Sequence, residues 1–172
     1  SIHWGPNWAD ASSTDSQRFR QLLAHQLIDQ GLVDVIHGHS SHHIRGIELY
    51  KGKCILYGTG DLINDYEGFR NRGEEIYETF GGLFLLEVDS ASGQLLKLRI
   101  QPTYMDNLQL CFLQENSEVW DPTSRRYVAE RNAVSRLGSF INAQSRTDAG
   151  VVATPVELQV NSEENVLDCV VG

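Results

Sequence analysis

The sequence predicts an α/β fold, and three observations carry that expectation. Residues 15–30, DSQRFRQLLAHQLIDQ, repeat apolar side chains at helical spacing (Phe19, Leu22, Leu23, Leu27 and Ile28), which specifies an amphipathic helix. Directly after it, LVDVI has the short apolar, β-branched character of a buried strand and runs into the polar loop GHSSHH. Upstream, SIHWG reads as the end of another strand entering a Gly-Pro turn. Strand, helix, strand with a polar loop at the second strand's end is an α/β pattern. In such sheets ligand sites lie at the carboxyl ends of the strands.

The remaining elements follow in chain order. Thr14 or Asp15 is placed to cap the helix and Gly31 to stop it. GIELY, KGK and CILYG form a hairpin with KGK as its turn, and the second strand stops at the loop GTGDLINDYEGF. EGFRNRGEEIYE is polar and glycine-marked, as surface loops are. GGLFLLEVD, SASGQ and LLKLRIQPTYM make the clearest hairpin of the chain. VWDPTSRR is a turn, and RYVAERNAVSRLGSFINAQSR (126–146) is a second amphipathic helix, although Gly138 inside it costs up to about 1 kcal/mol relative to alanine. VELQV, NSEEN and VLDCVV close the sequence as a last hairpin. No repeat or linker-like tract interrupts the 172 residues, so residues 1–172 are expected to form a single domain.

Composition narrows the function classes. With 41% hydrophobic residues the chain can bury a core. Its 14 basic and 23 acidic residues leave a formal charge of −9, which disfavours nucleic acid as a partner. Cys54, Cys111 and Cys169 are isolated, lack any CxxC spacing and sit in apolar strand-like segments, so buried free thiols are expected. No run of 18 apolar residues and no secretory signal pattern occurs. A cytoplasmic setting is the expectation for the chain.

Four of the six histidines (His37, His39, His42 and His43) fall within seven residues, and a fifth, His3, stands in SIHWG. A histidine ligates a divalent metal through one neutral ring nitrogen while an acceptor holds the other. Two-metal sites suit phosphate-ester chemistry because the ions clamp the attacking and leaving oxygens. His39 and His42 would come from one tight loop, with Gly38 allowing the backbone to bend, and His3 from a parallel neighbouring strand. The alternative is that all three are polar loop residues without a ligand. His43 follows His42 and should point the opposite way, whereas His37 alternates with His39 and either shares its face or packs inside the sheet. His25, mid-helix, is expected to be a packing or surface residue. Asp61 and Asp65 in GTGDLINDY either bind metal or hold a ligand histidine, or else form an Asx-type turn with Asn64.

SIHWG, the helix ending LIDQG, and VDVIHGHSSHHIRGIELYKGKCILYGTGDLINDYEG resemble the CapA-type poly-γ-glutamate capsule biosynthesis proteins of the calcineurin-like metallophosphoesterase superfamily. The likeness covers about the first 68 residues, with HWG, GH…H, GIE-Y-G and YG-GD in order. The resemblance implies a four-layer α/β/β/α sandwich with a dinuclear metal centre, to which His3, His39 and His42 contribute as ligands. The His39–His42 spacing is one residue longer than the superfamily's usual pair, and GHSSHH lacks the proline of the GHHPH form. The DxH, GDxxD and GN-H motifs of the superfamily's first half do not precede SIHWG. The chain is therefore expected to correspond to the C-terminal half of the fold and to catalyse little alone, with no catalytic residue of its own.

For the intact protein the resemblance implies hydrolysis of a phosphoester by metal-activated water, with Mn, Fe, Zn or Co as possible ions. Its partners would be a phosphoester or γ-glutamyl polymer-related substrate and a missing half, or a second copy at exposed sheet edges. A non-catalytic component of a polymer synthesis or export complex is the alternative, and the resemblance also leaves the cell envelope open as the setting.

Overall fold

The computed structural model describes residues 1–5, 14–62, 80–106, 109–121, 126–129, 132–148, 154–155 and 157–169. Their elements are β1 (Ile2–His3), α1 (Thr14–Asp29), β2 (Val35–His39), β3 (Ile47–Tyr50), β4 (Lys53–Leu56), β5 (Phe80–Val88), β6 (Leu95–Asp106), β7 (Gln109–Phe112), β8 (Glu118–Asp121), β9 (Arg126–Ala129), α2 (Ala133–Asp148), β10 (Thr154–Pro155), β11 (Leu158–Asn161) and β12 (Val166–Cys169). The fold is mixed α/β with two main sheets. The first has the order β1-β2-β4-β3-β10, its first three strands parallel; the second has the order β11-β12-β6-β5, with β7 also pairing β6. A two-stranded β8-β9 ribbon completes the set.

Strand alternation divides the interior in two. Along β4, Cys54 and Leu56 join a core shared with Leu98, Ile100 and Leu167 of the second sheet, while Ile55 and the following Tyr57 face α1. The helix α1 thus lies on one face of the first sheet and the second sheet on the other. The helix α2 closes the larger core through Ala133, Val134, Leu137 and Ile141. It is tied to the first sheet where Ile47 N donates to Ser145 Oγ (2.9 Å). Asn142 ties it to the second sheet by clamping both backbone groups of Leu158 (2.8 and 3.1 Å).

Local chemistry explains the boundaries. The helix α1 ends where Leu32 N donates to Leu27 O (3.0 Å) and Gly31 N to Ile28 O (2.9 Å), the paired closure that a positive-φ glycine (φ 66°) permits. Lys51 and Gly52 both adopt positive φ (50° and 78°), so a two-residue turn joins β3 to β4. Asp89 caps the β5–β6 turn by accepting from Ser92 N and Oγ (both 2.7 Å), which holds its carboxyl below the usual range. Two backbone contacts link the sheets at opposite ends of β4. Leu95 N donates to Gly52 O (2.7 Å), and Gly60 passes so close to β5 that a Cβ there would meet Gly81 Cα at 2.9 Å.

Several expectations need correction. Phe19 and Leu22 are 67% and 53% exposed, whereas Leu23, Leu27 and Ile28 of the same set pack, together with small Ala24, against Ile36, Ile55 and Tyr57. The second helix begins at Ala133 rather than at residue 126, because RYVA pairs with EVWD as β9 against β8. Gly38 makes no bend: it lies within β2, paired with Ile2. Cys54 and Cys169 are buried, which pushes both thiols up (Cys54 to about 12), but Cys111 is half-buried on β7. The caps at Thr14 and Asp15 and the segment EGFRNRGEEIYE lie outside the described residues and side chains. No helix among the described residues is long and apolar enough to cross a membrane.

Candidate functional site

The histidines gather at the carboxyl ends of β1 and β2. These strands are parallel, with His3 directly opposite His39, and Trp4 N donates to His39 O (2.9 Å) to extend the ladder. The two rings meet edge to face, centroids 5.1 Å apart. What holds β1 here is Trp4. Its indole lies across the bare Cα of Gly38, stacks on Tyr57 (5.8 Å) and donates Nε1–H to Tyr57 O (3.1 Å).

His37 shares the face of His39, the ring centroids 5.7 Å apart, and is exposed rather than packed inside the sheet. Ser1 Oγ bridges the Nδ1 atoms of His37 (2.8 Å) and His39 (3.3 Å), and Thr59 Oγ1 meets His37 Nε2 (3.1 Å). Desolvation, with His39 adding, lowers the His37 pKa from its ordinary value. Next, Ser40 takes φ 114° and donates to Gly5 O (3.0 Å), turning the chain out of the strand. His42 then donates Nδ1–H to Asp61 Oδ2 (2.6 Å). In the neutral ring such a contact leaves Nε2 as the lone-pair nitrogen, the arrangement that a carboxylate-held ligand histidine shares.

His43 points the other way, as alternation predicts, and is buried with Ser41 Oγ against its Nδ1 (3.1 Å). Burial above all, then Arg45 and His42, pushes its imidazole from 6.5 down to about 4. The fold therefore holds His43 neutral, and the unfolded chain binds a proton that the fold does not. Its contribution to stability is complete above pH 6.5 and is lost as pH falls to about 4, amounting to up to about 3 kcal/mol. Urea unfolding across this window should show stability declining with acidity, and His43→Leu should flatten that decline.

The three histidines singled out from sequence are thus partly assembled. His3 and His39 come together; His42 stands with Asp61. Among the described residues no three His, Cys, Asp or Glu side chains converge to hold one ion. A paired imidazole edge suits a divalent ion, but such ions take four or more donors, so the pair is an incomplete set. Asp65 and Asn64 lie outside the described residues, and the Asp61 carboxylate contacts His42. Beside the pair, a cavity of about 630 Å³ between β2 and β5 is lined by His37, His39, Thr59 and Asp61 at its polar end and by Leu56 and Phe84 among its apolar residues.

Sequence reasoning missed a second polar cluster. Glu48, fully buried on β3, accepts from Tyr57 OH (2.6 Å) and is paired with His25 Nε2 from α1. The His25 ring stacks on Tyr50 (3.7 Å). One glutamate inside the apolar segment GIELY was the available signal.

Comparison with known proteins identifies the lineage. Residues 1–66 match the family described as bacterial capsule synthesis protein PGA_cap. A probable polyglutamine synthesis accessory protein of Mycobacterium tuberculosis is 42% identical over 120 residues, covering 70% of this chain and 30% of that protein. An uncharacterized protein of Sinorhizobium fredii is 35% identical over 79 residues, 45% of this chain and 16% of its own length. The PGA biosynthesis protein CapA of Bacillus subtilis is 34% identical over 76 residues, 44% of this chain and 19% of CapA. The match thus spans under a third of each of these relatives. With the ordered histidine segments falling inside the matched region, the chain belongs to the CapA-type family of bacterial capsule synthesis proteins.

Proposed function

We propose that the intact protein serves poly-glutamate capsule synthesis as a metal-dependent phosphoesterase, with His3, His39 and His42 as the ligands this chain supplies. The observation that carries the reading is the register of His3 with His39 at two parallel strand ends, followed by a histidine whose Nδ1 a carboxylate holds. The printed names of the mycobacterial and Bacillus relatives support the polymer assignment. In the intact protein the two sheets would form the inner layers of a four-layer α/β/β/α sandwich, and further donors would come from outside this chain. A bound divalent ion supplies Lewis-acid activation of water and charge neutralisation at a phosphoester. This chain's part is positional. Trp4 and Gly38 fix the His3–His39 pair, Asp61 sets the His42 tautomer, and Ser1 and Thr59 orient His37 beside them. The substrate class is a phosphoester, or a polymer intermediate carrying one.

A second reading, a non-catalytic component of a synthesis or export complex, draws on the incomplete donor set and on the word accessory in the mycobacterial relatives' name. Plasma-emission metal analysis of this chain and of its longest native form separates the two. The first reading expects roughly two equivalents in the long form, as a two-metal site requires. His3→Ala with His42→Ala should then lower both the metal content and the hydrolysis of model phosphodiesters. Unchanged hydrolysis in that double variant sinks the enzyme reading, and a metal-free long form favours the second.

A further inference from the structure

The carboxylate that holds His42 is itself placed by an element that contributes no polar side chain to the site. Asp61 follows Gly60, and both cross the start of β5 at backbone contact. A Cβ on Gly81 would overlap the Asp61 carbonyl oxygen, and one on Gly60 would meet Phe80 O and Gly81 Cα, both at 2.9 Å. Gly81 is in turn fixed by its place opposite Thr103 in the β5–β6 ladder. The Thr103 side chain is fully buried there with its hydroxyl unpartnered, and its Oγ1 would lie 3.2 Å from a Gly81 Cβ. The segment carrying Asp61 is therefore seated on bare backbone, at a height that one methyl group would change.

We propose that Gly81 is a positioning residue for the histidine site: the contact of the Asp61 backbone with β5 sets the Asp61 carboxylate against His42 and so fixes which His42 nitrogen carries the proton. The β5–β6 hairpin becomes part of the site through this seat. Gly82, its neighbour, provides the contrast. A Cβ there would meet Ile100 Cγ2 at 2.9 Å and Ile44 Cδ1 at 3.4 Å, side-chain atoms of the core and not the Asp61 backbone. Adding a methyl at either position strains packing, so stability alone cannot distinguish them. The His42 tautomer can.

The inference rests on the proposed function only in making the His42 tautomer matter; the test needs no metal. Imidazole ¹⁵N spectra of the whole chain, at a pH where histidines are neutral, should give the wild-type His42 a protonated Nδ1 and a bare Nε2. Asp61→Ala should shift both resonances toward an exchanging imidazole. Gly81→Ala is expected to reproduce that shift, and Gly82→Ala to lack it. A folded Gly81→Ala protein with the wild-type tautomer overturns the proposal, as does the same shift in Gly82→Ala. Should Gly81→Ala not fold, an NOE between the Gly60 and Gly81 Hα protons of the wild type is required, and its absence overturns the seat. If the tautomer obeys these expectations while the long form binds no metal, the positioning stands and the enzyme reading fails.

Discussion

Gly38→Ala is expected to separate the two strands that carry the histidine pair and to cost about 3 kcal/mol, the upper range for forcing a group into filled space. A Cβ at this position would overlap Trp4 Nε1 and stand 2.8 Å from the Leu56 carbonyl oxygen. The carbonyl belongs to a parallel strand paired on the other side of β2 and cannot retreat, so the indole must. Its departure removes the bond to Tyr57 O and the packing that keeps β1 in place, and with β1 goes His3. Urea unfolding reads the stability loss, and a red shift of tryptophan emission before unfolding reads the displaced indole. A Gly38→Ala protein with wild-type stability and emission would remove Trp4 from its role. In an ordinary strand the same change gains roughly 0.5–1 kcal/mol, so even the sign is informative.

His25→Leu should be the more damaging change, at about 3–5 kcal/mol, because it strips the partner from a fully buried carboxylate. Glu48 would keep only the Tyr57 hydroxyl. The cost comes mainly from leaving a charge uncompensated, so removing the whole cluster should hurt less than removing one member. Chemical denaturation of His25→Leu beside the triple variant His25→Leu, Glu48→Met, Tyr57→Phe decides this. The triple variant is expected to be the more stable of the two; if it is the less stable, the cluster holds α1 by net attraction. Its neighbour, the Lys51–Asp29 pair, is exposed and should contribute little.

The sequence was most informative where period and punctuation agreed. Both main hairpins, the α1 stop at Gly31 and the parallel seating of His3 beside His39 were legible from alternation, turn residues and strand ends. The buried face of α1 is legible in part: Leu23, Leu27 and Ile28 do pack toward the sheet, but Phe19 and Leu22 do not, and Ala24, which carries little apolar weight in the pattern, is fully buried there. The start of α2 is hidden for a related reason: RYVA continues into the helical pattern when read alone, and its pairing with EVWD across the intervening residues makes it a strand. In the site, the sequence places His39 and His42 as a pair on one tight loop. A positive φ at Ser40 divides them, and no local pattern announces a serine in that region. Asp61 is ambiguous from sequence because its partner lies 19 residues away, on the other side of a hairpin.

The spacing of the two sheets is fixed at both ends of β4 by main-chain atoms, through Gly52 with Leu95 and through Gly60 with Gly81. Side chains of the larger core fill a gap whose height they do not set. Substitutions among Leu98, Ile100 and Leu167 that keep total volume should therefore repack without altering the distance from β5 to the histidines. The larger core can thus change in composition while the imidazoles keep their places, because the distance between the sheets is held at positions where main chain meets main chain.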